Sequence, residues 1–79
     1  MEVQQFRNEI GNDITISVIG NFEETGINHE TGTNHIFNAV KVQISGPTSM
    51  SENVITYGEA MELHRLLSLF LAGSQRCTH

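Results

Sequence analysis

At Thr56 the spacing of apolar residues changes, and that change constrains the fold more than any other feature of the 79 residues. Upstream the apolar positions alternate. Downstream Ala60, Leu63, Leu66, Leu67, Phe70 and Leu71 recur at steps of three and four, which on a helix form one continuous face. Thr56-Tyr57-Gly58-Glu59 carries the residues of a capping box ahead of that face. The Thr56 hydroxyl is placed to accept from a first-turn amide, and the Glu59 carboxylate to reach back to the Thr56 amide. Ile55 and Ala60 are spaced for a weak hydrophobic staple across the cap. Gly73, which can adopt left-handed backbone cheaply, is expected to end the helix. The spacing predicts a helix over 57–72, about 24 Å long.

In Ile14-Thr15-Ile16-Ser17-Val18-Ile19, and again in Ile36 to Ser45, the even positions carry the apolar set. Both segments read as strands with one buried side. Pairing Phe22 with Ile36 brings Val18 to Val40, Ile16 to Val42 and Ile14 to Ile44, and leaves 23–35 as a long hairpin loop. Val3, Phe6 and Ile10 suit a helix about as well as a strand. As a strand, a three-residue loop Gly11-Asn12-Asp13 sets Ile10 against Ile14 and Phe6 against Val18, whereas a two-residue Gly-Asn loop mixes the faces. Gly46-Pro47 stops the third strand, because proline lacks the ladder donor. Thr48 to Asn53 then reads as a polar crossover into the helix.

The expected fold is α+β: a three-stranded antiparallel β-meander with one C-terminal helix on one face, β-β-β-α. Residues 1–73 form a single small domain and 74–79 a flexible tail. The first and third strands are its edges, with unpaired backbone groups open to a second subunit. A meander with one helix is too common an arrangement to point to a family.

Nine acids against four bases give a net charge of −5. Arg7, Lys41, Arg65 and Arg76 are scattered singly, so the clustered cations that displace counterions from phosphates are missing. Direct nucleic-acid binding and attachment to an anionic membrane are therefore not expected. The longest apolar run, Leu69 to Ala72, is too short to span a bilayer. No basic and apolar leader opens the chain, and one cysteine, Cys77, allows no internal disulfide. A cytoplasmic setting is expected. So short a chain without disulfide or metal support has a thin margin of stability, which makes a homodimer the expected state.

Residues 24–35 are one six-residue unit written twice, Glu-Thr-Gly-Ile-Asn-His and Glu-Thr-Gly-Thr-Asn-His. His29 and His35 would be the ligands of a metal- or ligand-binding module, with Glu24 or Glu30 and Cys77 or His79 completing the set. Ligands six apart in a loop rich in Gly, Asn and Thr are not preorganised, and ordering costs about 1–2 kcal/mol per residue. A duplicated turn-forming loop is the simpler reading, with no metal and no cofactor. His64 falls at the edge of the helical stripe, with an apolar body and a wet tip. Glu59 and Glu62 lie three apart, but Glu59 already caps the helix. No nucleophile elbow, triad order or phosphate loop is legible, and Cys77 sits in a terminus poorly suited to hold catalytic geometry. The chain is not expected to be an enzyme.

What remains is surface. Ile19 and Phe37 fall on the uncovered side of the sheet, Met61 and Leu69 outside the helical stripe, and Glu23, Glu24 and Glu30 make the long loop acidic. These residues are the expected contact points of a small acidic protein-binding module. It would act as an inhibitor or adaptor, in the manner of viral or mobile-element proteins that block a host nuclease or another basic, nucleic-acid-binding protein.

Overall fold

The computed structural model describes residues 1–77, with side chains described through Ser74. The element order is β1 (Glu2–Arg7), β2 (Asp13–Asn28), β3 (Thr33–Ser45), β4 (Met50–Thr56) and α1 (Tyr57–Cys77). The strands form one antiparallel sheet in sequence order. The α+β class with an antiparallel sheet and a C-terminal helix holds, but the sheet has four strands. The additional strand occupies most of the segment read as a crossover. On the helix-bearing face it carries Ser51 and Asn53 before Ile55, and on the other face Glu52 stands between Met50 and Val54, so no continuous apolar alternation marks it. Gly46-Pro47 does stop β3, yet as part of a tight reversal in which the Gly46 amide donates to the Ser49 carbonyl at 2.8 Å. The edges are therefore β1 and β4, and β3 is interior.

Side-chain parity survives in the lower part of the sheet, but the registers differ. Val18 pairs with Val42 and Ile16 with Ile44, two residues from the expected partners. Phe6 pairs with Ile14 and Arg7 with Asp13, a shift of four from the expected hairpin. The cause is Asn8, whose Oδ1 accepts from the amides of Ile10 (3.2 Å) and Asn12 (2.9 Å). Gly11 at φ 86° completes a five-residue loop, and the Arg7–Asp13 ion pair closes its base. Ile10, expected to face Ile14, stands in the loop and is 80% exposed.

Between Ile19 and Phe22 the β2–β3 ladder slips by one residue through a bulge at Gly20-Asn21. Asn21 takes a left-handed φ of 63°, which asparagine tolerates better than most residues. The Tyr57 hydroxyl donates to Asn21 Oδ1 at 3.1 Å and accepts from the Asn21 amide at 3.2 Å. A Cβ on Gly20 would meet that hydroxyl at 3.1 Å, so glycine leaves room for the ring. Beyond the bulge the parity of β2 inverts. Phe22 pairs with Ala39 instead of Ile36 and joins the sheet's second face, where Lys41 Nζ lies 6.0 Å from its ring centroid.

The cap forms as expected. The Glu59 amide donates to Thr56 Oγ1 at 3.0 Å, and the Thr56 amide donates to Glu59 Oε1 at 2.8 Å. These bonds hold the Glu59 carboxyl below its ordinary range, the Thr56 amide being the larger cause. The helix continues through Gly73 to Cys77, so the segment expected as a tail is helical as far as it is described. Gly73 has no positive φ, and an interior helical glycine costs only about 1 kcal/mol against alanine. Thr78 and His79 lie outside the described residues.

A carboxyl depressed in the folded state stabilises above its unfolded pKa, and that contribution is lost as pH falls through the folded value. Helix stability is therefore expected to decline on acidification through the carboxylate range, and less so in Glu59→Gln. Thermal melts followed by circular dichroism at neutral and acidic pH would show this as a smaller acid shift for the variant. Thr56→Ala should lower stability by about 1 kcal/mol.

The molecule is open. Among the described hydrophobic residues only Ala39 and Val40 are buried. The radius of gyration is 16.0 Å, where a compact domain of this length would have about 12 Å. The accessible surface is 6617 Å², about 1,800 Å² more than a compact monomer of 8.8 kDa exposes.

Candidate functional site

The helix approaches only β3 and β4 closely. Between helix and sheet lies an apolar groove with Val18, Val40, Val42 and Ile55 on the sheet side and Ala60, Leu63, His64 and Leu67 on the helix side. Ile55 and Ala60, the two positions of the staple, thus line the same groove, and His64 stands at the margin of the stripe. No residue after Leu67 lines this groove. The stripe itself runs on to Leu71, an angular band containing Leu63, Leu66, Leu67, Phe70 and Leu71, and every one of these is exposed in the single chain. Leu66 is 55% exposed and Phe70 68%.

This is where sequence reasoning missed the main feature. Periodicity alone places the band in a core against the sheet, yet the helix runs beyond the floor that would cover it. At 21 residues it is about 31 Å long, and it leaves the sheet after its first turns. The signal was present in the length of the apolar repeat. Part of the floor is open as well: Phe6, Ile14, Ile16 and Ile44 share the helix-bearing face through their pairings, and Phe6 and Ile44 are exposed. Burial of a leucine or phenylalanine side chain is worth about 1.5–3 kcal/mol, so this uncovered face represents a large unused driving force.

The residues expected as contact points are dispersed. Ile19 and Phe37 do share the second face, where Phe22 joins them around Ala39, but both are half-buried. Phe37 packs over Gly26, where an added Cβ would lie 3.2 Å from its ring. Met61 and Leu69, 71% and 59% exposed, project from the helix outside the band. Glu23 pairs with Asn38 and Glu24 with Phe37, so successive acids point to opposite sheet faces, and Glu30 lies in the turn beyond. They do not make one acidic surface.

The duplicated segment is mostly strand, which corrects the expected loop at 23–35. The first unit supplies the end of β2 and the second the start of β3, with Gly26 opposite His35, Ile27 opposite Asn34 and Asn28 opposite Thr33. Only residues 29–32 turn. Asn28 Oδ1 accepts from the amides of Glu30 (2.9 Å) and Thr31 (3.3 Å), and Gly32 takes φ 71°. The same hexapeptide thus adopts two conformations, because pairing of one unit with the other offsets the entropy that an open loop would retain. His29 sits in the turn. His35 lies in the strand, its Nε2 2.8 Å from Thr33 Oγ1. Among the described residues no three His, Cys, Asp or Glu side chains converge as metal ligands. Of the other suggested ligands, His79 and the Cys77 side chain lie outside what is described.

Arg7, Lys41 and Arg65 each pair with a carboxylate, Asp13, Glu52 and Glu62 respectively, at 3.2, 3.1 and 2.9 Å. These bases are spread over β1, β3 and α1, so they make no phosphate-binding stripe. Among the described residues no helix is long and apolar enough to cross a membrane. No family model, curated protein or solved structure matches this chain.

Proposed function

We propose that this chain is a non-enzymatic protein-binding module, an adaptor or inhibitor that acts by surface contact through its C-terminal helix. One observation carries the reading: a continuous apolar band of four leucines and a phenylalanine stands exposed on a capped helix. An exposed band of this kind marks a contact with protein. After the first turn it carries no charged side chain among the described residues, as the centre of a protein interface requires. The acidic balance of −5 favours partners with basic surroundings, while the band supplies the affinity.

The test is comparative capture. Wild-type chain and the Leu66→Asp/Phe70→Asp variant are immobilised in lysate of the encoding organism, doped with a separately tagged copy of the chain. Retained proteins are then quantified by mass spectrometry at low and high salt. The wild type should retain, in a salt-tolerant manner, protein that the variant loses. Equal retention by both would overturn the helix as the contact surface.

A further inference from the structure

We infer that the exposed band of α1 is the interface for a second copy of this chain, the two helices packing against one another in a closed homodimer. This rests on the protein-binding reading above and names the occupant of that surface.

The first argument is area. The single chain exposes about 1,800 Å² beyond what its mass requires, and obligate dimers bury about 1,000–2,500 Å² per subunit. A standard-size contact with a different protein buries less, about 800 Å² per partner. The second argument is the core. With only Ala39 and Val40 buried among the described hydrophobic residues, the chain needs its partner in order to fold, not merely to function. An obligate partner must be present wherever the chain is made, and another copy meets that condition without further supply. The third is shape. The band is centred near Leu66 and Leu67, with Leu63 toward one end and Phe70 and Leu71 toward the other. About a two-fold axis at its middle, Leu63 of one copy meets Phe70 and Leu71 of the next, so the surface is self-complementary as an isologous contact requires. On the helix, Glu62 and Arg65 neutralise one another locally at 2.9 Å, so this pair adds no net charge beside the band.

The experiment uses the full chain. Mass by light scattering should be twice 8.8 kDa, falling to one chain in Leu66→Asp/Phe70→Asp. Because that variant is expected to lose its fold with its partner, a second readout uses the intact interface. Leu66→Cys in a Cys77→Ser background should be linked between chains by a short bismaleimide, whereas Met50→Cys, on the opposite face of the edge strand β4, should not. Dimer mass with linkage at position 66 supports the assignment. A dimer linked at Met50→Cys and not at Leu66→Cys would overturn it in favour of edge pairing. A folded single chain at all concentrations would overturn the second copy as occupant. The protein-binding reading would survive that last result if the lysate experiment still recovered another protein through the band, and would fall with it if nothing were retained.

Discussion

Leu66→Asp is expected to destabilise the protein by more than about 2 kcal/mol, although Leu66 is more than half exposed in the single chain. For an exposed helical residue touching nothing, such a change would fall within about 0.5 kcal/mol. The two figures separate the possibilities cleanly. If the band is covered by a second helix, the substitution places a carboxylate in an apolar interface and removes a leucine that filled it. Leu69→Asp is the control: Leu69 is exposed to a similar degree but projects outside the band, so its effect should stay small. Urea unfolding monitored by circular dichroism, at equal chain concentration, measures both. Comparable effects for the two variants would mean that the band has no special partner.

Ala39→Leu is the second large effect. Ala39 is 0% exposed, flanked across its two ladders by Phe22 and Thr56 and followed on the same face by Lys41. At an open strand position leucine would be neutral or favourable relative to alanine. Here the added side chain must displace Phe22 or distort the ladder, at a cost of about 1–3 kcal/mol. The same unfolding measurement reads it, and a variant as stable as the wild type would show that the second face is not packed around Ala39. The prediction also tests the bulge, since only the slip at Gly20-Asn21 brings Phe22 opposite Ala39.

What was legible in the sequence follows from the range of the forces involved. The cap at Thr56 and Glu59 was legible because both hydrogen bonds close within four residues. The shared apolar side of β2 and β3 at Ile16, Val18, Val42 and Ile44 was legible because parity depends only on alternation. Register was not, because it is set where the chain turns. Asn8 folds its side chain over two amides and shifts the first hairpin by four. The Gly20-Asn21 bulge, fixed by Tyr57 from 36 residues away, inverts parity beyond it. The fourth strand is not legible because Ser51 and Asn53 occupy its helix-bearing face, which breaks the apolar alternation that marks β2 and β3. The long loop was missed because two turn-rich hexapeptides can pair with each other, a non-local gain that local turn propensity does not report.

The candidate site was missed for a related reason. Amphipathicity states that a helical face must be covered; it does not state by what. The stripe from Ala60 to Leu71 was assigned to the chain's own sheet, but only its first part, to Leu67, has sheet beneath it. Beyond Leu67 its residues Phe70 and Leu71 stand exposed in the single chain. Met61 and Leu69, chosen for lying outside the stripe, are exposed but carry less apolar area than the stripe itself.

Folding and pairing should be a single event if the band is covered by another copy, and the dependence of thermal unfolding on chain concentration tests that most directly. With the wild-type chain, the midpoint should rise steadily over a thousandfold increase in concentration, because association stabilises only the folded state by mass action. A midpoint that stays constant over that range, with a cooperative transition and single-chain mass throughout, would contradict the account.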